Sequence, residues 1–156
     1  GTEFEQFGDA LEAAIVLSVV SEGLPLIYNG QEAGNTRRLA FFEKDPIDWQ
    51  PHPLGDLYKM LFKLKRQNRA LWNAAWGARM INVANSAPAQ VLSFVRQNRR
   101  DKVFAVFNLS ERPQMISFSE KLHYGSYVNY FAGETIEFAA ETKLKLERWE
   151  YRVFVR

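Results

Sequence analysis

At Trp76 the spacing of apolar residues changes from a helical period to a period of two, and that switch commits the chain to two unlike parts. Beyond it, short alternating runs at 78–83, 90–96, 102–108, 114–118, 126–131, 135–138, 143–146 and 150–155 read as strands. Turn-forming residues separate them at 85–88, 98–101, 110–113 and 132–134. About eight strands at roughly 8 to 12-residue spacing predict an all-β antiparallel sandwich.

Before the switch the pattern reads helix, strand, long loop, helix. Asp9 is a suitable N-cap for an apolar helix whose face carries Leu11, Ala14, Ile15, Ser18 and Val19, and Gly23 followed by Pro25 is a suitable stop. Leu26, Ile27 and Tyr28 follow without alternation, as in a short parallel strand covered on both faces. Residues 33–53 hold three prolines (Pro46, Pro51, Pro53), Phe41, Phe42 and Trp49 without a period, which predicts a long packed loop. A second amphipathic helix is expected over 54–72, with Leu54, Leu57, Tyr58, Leu61, Leu64, Leu71 and Trp72 inward and Lys59, Lys63, Lys65, Arg66 and Arg69 toward solvent. The fold class is thus α+β, with a boundary between residues 1–76 and 77–156.

Composition narrows the function. At 156 residues and 47% hydrophobic, the chain can bury roughly two thirds of its unfolded surface. Its 20 basic and 18 acidic side chains are dispersed, so no basic face is available for nucleic acid. No apolar run reaches the roughly 18 residues of a membrane span. With no cysteine, disulfides and thiolate chemistry are excluded, while the compartment is left open.

One parallel strand with two helices cannot close a layer, because its backbone groups and its Leu, Ile and Tyr side chains lack partners. A chain that begins with Gly1 rather than Met is expected to derive from a longer protein that supplies them.

The stretch GLPLIYNGQE at 23–32 then carries a resemblance, together with FFEKDPIDW at 41–49, LYKMLFKLKRQNRAL at 57–71 and the β tail ending in WEYRVFVR. In this order they resemble the end of an α-amylase-family glycoside hydrolase. Gly23, Pro25, Ile27, Tyr28, Gly30 and Glu32 match the motif of strand eight of its (β/α)8 barrel. The family's usual Leu-Arg and Asn-Pro-Ala-Leu stand here as Leu64-Lys65 and Asn68-Arg69-Ala70-Leu71. The resemblance implies one strand and two helices from the end of the barrel, followed by the family's β-sandwich domain. It also implies a parent enzyme that cleaves or transfers α-glucosidic bonds of α-glucans or maltooligosaccharides, with an N-terminal barrel as this segment's partner.

A retaining glycosidase needs two carboxyl groups about 5 to 5.5 Å apart. The family's nucleophile, acid/base and Asn-His-Asp stretch have no counterpart here, since His52 precedes Pro53 and His123 precedes Tyr124. No catalytic residue, cofactor or metal ligand is therefore assigned, and the chain alone is expected to be inactive. Tyr28, Asn29, Gln31 and Glu32 are the expected substrate-binding or active-site support residues, because barrel chemistry sits at the carboxy ends of strands. Glu43, Asp45 and Asp48 read as a solvated acidic loop, and Arg37 and Arg38 as loop solubility. Trp49 is expected to anchor its loop, and Trp72 and Trp76 to pack between the two parts. Tyr124, Tyr127, Tyr130 and Trp149 fit a sandwich core better than a glycan platform. The alternative reading is a noncatalytic glycan-binding or structural sandwich module. If the chain stands alone, Ile15, Val19, Leu26, Ile27 and Tyr28 form an exposed patch, and residues 9–28 are expected to self-associate.

Overall fold

The strand Lys102–Asn108 is buried at every residue, and the reason organises the molecule. In the structure, a computed structural model that describes residues 2–156, this strand lies inside a sheet with both faces covered. Val103, Ala105 and Phe107 turn toward a helical layer, whereas Phe104 and Val106 turn into the sandwich interior. Strict alternation thus serves two cores at once.

Eight strands form: β1 (Ile81–Asn82), β2 (Val91–Gln97), β3 (Lys102–Asn108), β4 (Gln114–Ile116), β5 (Gly125–Asn129), β6 (Thr135–Phe138), β7 (Leu144–Leu146) and β8 (Tyr151–Val155). Each falls on one of the alternating runs. Six make an antiparallel sheet of order β1-β2-β3-β8-β5-β6, and β4 pairs with β7 in a second. The register sets Phe104 opposite Phe154 and Val95, so that apolar side chains share a face across three strands. Ile116, Leu144 and Leu146 of the small sheet close over Phe104, Tyr127, Phe138 and Phe154. Phe104 is the hub of this core, with ring contacts to Phe118, His123, Tyr127, Phe138 and Phe154.

The outer face of the large sheet is covered by helices. α1 (Glu3–Phe7) is opened by a capping box in which Thr2 and Glu5 bond each other's backbone N–H. A 3-10 turn at Gly8–Ala10 leads into α2 (Leu11–Val20). Asp9 therefore lies inside a helical run and does not cap it; the Thr2-x-x-Glu5 signal precedes the expected start. α2 buries Leu11, Ala13, Ile15, Val16, Val19 and Val20, a wider surface than one stripe, because it is wedged between the sheet and the next helix. Ile15 and Val19 are covered by this chain's own sandwich, contrary to their expected exposure, and Ser18 faces solvent.

α3 (Pro53–Gln67) starts with Pro53 at its first turn and with His52 Nδ1 accepting from Leu54 N at 3.2 Å. Leu54, Tyr58, Leu61 and Leu64 form its buried stripe. It ends earlier than the periodicity suggests. The Asn68 side chain accepts from Ala70 N and opens a separate 3-10 turn, Arg69–Leu71. Lys65 also departs from expectation: its Nζ donates to the carbonyls of Val19 and Leu71, and burial pushes its pKa down to about 8.

The two parts are joined by Arg96 of β2, which is 1% exposed. Its guanidinium donates to the carbonyls of Ala78 (2.8 Å), Ser21 (2.8 Å), Trp72 (2.7 Å), Val20 (3.2 Å) and Leu71 (3.4 Å). Val20 and Ser21 are the terminal carbonyls of α2, which the helix itself cannot satisfy and whose partial negative charge a cation complements. Burial lowers the Arg96 pKa, and the Glu22 carboxylate opposes that shift. A sandwich side chain thus fixes where α2 ends and where the chain departs toward residues 24–32.

Candidate functional site

Residues 24–28 follow α2 without regular secondary structure and pair with no strand among the described residues. The apolar run led us to expect coverage on both faces, and only one is covered. Ile27 packs on the helical core, while Leu24, Leu26 and Tyr28 are 83%, 84% and 58% exposed. The physical reason is simple: a strand needs a lateral neighbour to satisfy its backbone, and the sandwich sheet lies on the other side of the helices.

At its tip the chain turns sharply. Gly30 has φ +88 and Gly34 φ +71, both left-handed, and they bracket a 3-10 turn at Gln31–Ala33. At Gly30 a side chain would also crowd Asn35 and Ile47, at 3.0 and 3.1 Å from an added Cβ. The turn is closed by Gln31 N to Tyr28 O at 3.0 Å and by Asn35 N to Gly30 O at 2.9 Å. Gln31 Oε1 accepts from Tyr28 N at 3.3 Å, so the Gln31 side chain braces the residue that precedes it.

Tyr28, Asn29 and Gln31 line one cavity of about 300 Å³ together with Glu3, Asn35, Arg37, Arg38 and Phe41. Glu32 does not share it. The backbone carbonyl of Glu32 packs on Gly55 in the first turn of α3, and Glu32 Oε2 is buried without a partner. Its charge is felt instead by Tyr58, whose hydroxyl is pushed up to about 12, first by burial and then by Glu3 and Glu32. The four expected residues therefore divide, three facing a polar cavity and one turned toward α3.

The long loop owes its shape to one ion pair that the sequence reading passed over. Arg37 Nη1 meets Asp45 Oδ1 at 2.8 Å, Arg37 Nη2 donates to Pro46 O, and Asp45 Oδ2 accepts from Ala40 N at 2.9 Å. These bonds, the Ala40 amide first and Arg37 next, hold the Asp45 carboxyl below its ordinary value. Asp45 is thus a structural clasp rather than a solvated charge. Asn35 bonds Arg37 in both directions and presents that arginine beside the cavity. Phe41 and Phe42 stack edge to face but stay 89% and 93% exposed, and Trp49 is 60% exposed. Trp76, expected between the two parts, is 78% exposed, whereas Trp72 donates to Arg66 O and lies under the Arg69 guanidinium.

Chemically, the cavity offers amides, a phenol and guanidinium donors, a set suited to holding hydroxyl groups. Among the described residues no group of three or more His, Cys, Asp and Glu side chains is placed to hold a metal ion. No helix is long and apolar enough to cross a membrane.

Comparison with known proteins agrees with this architecture. The profile of the maltogenic amylase C-terminal domain matches residues 81–153. "Alpha-amylase 2" of Dictyoglomus thermophilum is 23% identical over 136 residues, covering 79% of this chain and 22% of that protein. The noncanonic maltogenic α-amylase AmyB from Thermotoga neapolitana superposes with a TM-score of 0.79 at 18% identity, covering 96% of this chain and 36% of AmyB. AmyP, solved in complex with maltose, superposes with a TM-score of 0.70 at 15% identity over 94% of this chain and 34% of AmyP. The chain spans about a fifth of the curated relative and about a third of these solved structures. Over residues 81–153 the chain is thus similar in sequence to the maltogenic amylase C-terminal domain, and over nearly its whole length it is similar in fold to part of these solved α-amylases.

Proposed function

We propose that this chain supplies the closing segment of an α-glucan-active glycoside hydrolase. Residues 1–76 contribute the last strand and flanking helices of a (β/α)8 barrel, and residues 77–156 contribute its β domain. The supporting observation is the unpaired segment 24–28, a strand-like sequence with Leu24 and Leu26 more than four-fifths exposed. An adjoining barrel strand would satisfy its backbone and cover both leucines. In that setting Tyr28, Asn29 and Gln31 reach the substrate side of the barrel and contact a maltooligosaccharide, while Glu32 holds the strand tip against α3. Glycosidic cleavage or transfer through a covalent intermediate falls to carboxyl groups outside this chain. This chain's part is positional, and placement errors of about 1 Å at such sites cost about a hundredfold in rate.

Two measurements test the reading. The 156-residue chain should show no turnover of maltooligosaccharides above a heat-treated control, and turnover by the chain alone would overturn it. Residues 24–28 should exchange their amide hydrogens rapidly in the isolated chain and become protected when a barrel segment of an α-amylase-family enzyme is supplied in trans. Alone, the chain should self-associate through residues 9–28, with Leu24, Leu26 and Tyr28 as the contacts; a monodisperse monomer in light scattering would refute that.

A further inference from the structure

The tip of the exposed segment carries the chain's only asparagine followed by glycine, Asn29–Gly30. The pair forms the middle of a turn. Gln31 N donates to Tyr28 O at 3.0 Å, Gly30 has φ +88 and ψ −7, and Asn29 keeps a negative φ. Those angles define a type II turn with Gly30 in its third position.

The peptide between Asn29 and Gly30 is free to rotate. Among the described residues, Asn29 O accepts no hydrogen bond, Gly30 N donates none, and the Asn29 carboxamide has no partner. Rotating that peptide gives a type I turn, in which the bond from Gln31 N to Tyr28 O is kept and Gly30 moves to negative φ. Glycine accepts both signs, so the rotation breaks no hydrogen bond and strains no side chain. It swings Gly30 N toward the Asn29 side chain, and no Cβ on Gly30 screens that nitrogen from attack.

Other asparagines lack this combination. Asn85, followed by the small Ser86, is held by three bonds: Nδ2 donates to Val91 O and Ser93 Oγ, and Oδ1 accepts from Ala87 N. Asn73 and Asn82 precede Ala74 and Val83, whose side chains crowd the attacking nitrogen.

The surroundings also favour the charge that would result. Asn29 is exposed and lines the cavity with Arg37, Arg38 and one acid, Glu3. Arg37 is committed to Asp45, whereas Arg38 forms no ion pair among the described residues and is available to a new carboxylate.

We propose that Asn29–Gly30 is a site of spontaneous covalent modification, at which the chain's own backbone converts Asn29 to aspartate and isoaspartate. Gly30 N attacks Asn29 Cγ, the N–Cγ bond forms as the Cγ–Nδ2 bond breaks, and the Gly30 amide proton leaves with Nδ2 as ammonia. Water then opens the cyclic imide at either of its two carbonyls. One opening leaves aspartate; the other leaves isoaspartate, in which the main chain runs through the side-chain carbon. Both put an anion where the cavity had a neutral amide, and the second lengthens the turn by one atom. The assignment rests on the turn and its chemistry, not on the function proposed above.

The test is incubation of the folded 156-residue chain in mildly alkaline heavy-oxygen water. Cleavage after Glu22 and Glu32 then releases GLPLIYNGQE, in which Asn29 is the only asparagine. That peptide should gain a carboxylate carrying one heavy oxygen, and an isoaspartyl methyltransferase should methylate it. Conversion at Asn29 should run at least about tenfold faster than at Asn85, because each bond holding Asn85 is itself worth close to a tenfold factor. Asn29→Gln, which would have to close a larger ring, should abolish both signals in the peptide. Should that variant fail to fold, the wild-type comparison of Asn29 with Asn85 decides. Conversion at Asn29 no faster than at Asn85, or conversion without isoaspartate, would overturn the proposal. Conversion confined to chains unfolded in guanidinium chloride would overturn it as well, since the folded turn would then block ring closure.

Discussion

Replacing Arg96 with methionine tests whether one buried cation holds the helices to the sandwich. Methionine keeps the apolar stem and removes the donors. Three of the guanidinium bonds, to Ala78, Ser21 and Trp72, are 2.7–2.8 Å long, and hydrogen bonds to a charged donor contribute about 1.5–3 kcal/mol each. Against that stands the cost of burying a guanidinium with no carboxylate in contact, several kcal/mol in a protein interior. The balance is a loss of about 3 kcal/mol for Arg96→Met. The loss should not be spread evenly. Amide exchange should accelerate most at Ser21–Glu22 and across 72–80, where the carbonyl acceptors lie, and least in β3. Arg96→Lys should recover little, because one ammonium with three donors cannot span five carbonyls from three chain segments. Urea unfolding read by tryptophan fluorescence gives the magnitude, and hydrogen exchange gives the location. A stability change below about 1 kcal/mol, or acceleration centred in the sandwich core, would show that packing, not Arg96, joins the two parts.

Other expectations follow from equally local causes. His123 is 0% exposed, both ring nitrogens lack partners, and burial, aided by Lys102, holds its pKa down to about 4. Because the folded value lies below the unfolded one of about 6.5, the contribution is fully present above pH 6.5 and is lost as pH falls toward 4, about 3 kcal/mol in all. His123→Phe should flatten the dependence of urea midpoint on pH across that window; an unchanged slope would contradict it. Gly77→Ala should lower the melting temperature sharply, since a Cβ there would overlap the Trp72 carbonyl oxygen that Arg96 holds. Phe104→Ala should cost about 3–5 kcal/mol by calorimetry, as five rings lose their common neighbour, and a loss under 1 kcal/mol would mean the core collapses to fill the space.

The sandwich was legible because its strands obey a two-residue period bounded by turn residues, and all eight runs became strands. The stripe of α3 was legible for the corresponding helical reason. Three kinds of feature were not. Thr2 and Glu5 form a recognisable capping box, but the helix they open is only five residues long and carries no readable period. Arg96 sits in an apolar strand pattern as a charged residue that pattern reading assigns to solvent, and only its five carbonyl partners, distant in sequence, explain its burial. Lys65 was misread for the same reason. At the candidate site, resemblance and position grouped Tyr28, Asn29, Gln31 and Glu32 together, and nothing in the sequence announced that they divide. Gln31 and Glu32 are adjacent, and it is the left-handed turn at Gly30 that sends one to the cavity and the other toward α3. The clasp between Arg37 and Asp45 spans a loop without periodicity, so nothing in the sequence announced it.

The double coverage of β3 bears on how this domain can be moved between proteins. A chain cut at Trp76 would carry away the helices that cover Phe94, Val103, Ala105, Phe107 and Val153, and would turn an inner face of the sheet into an outer one. The β domain is therefore not a portable cassette on its own. Its smallest graftable unit includes α2 and α3, so a chimaera that exchanges such domains between amylases should place its crossover before the helices rather than at the point where the hydrophobic period changes.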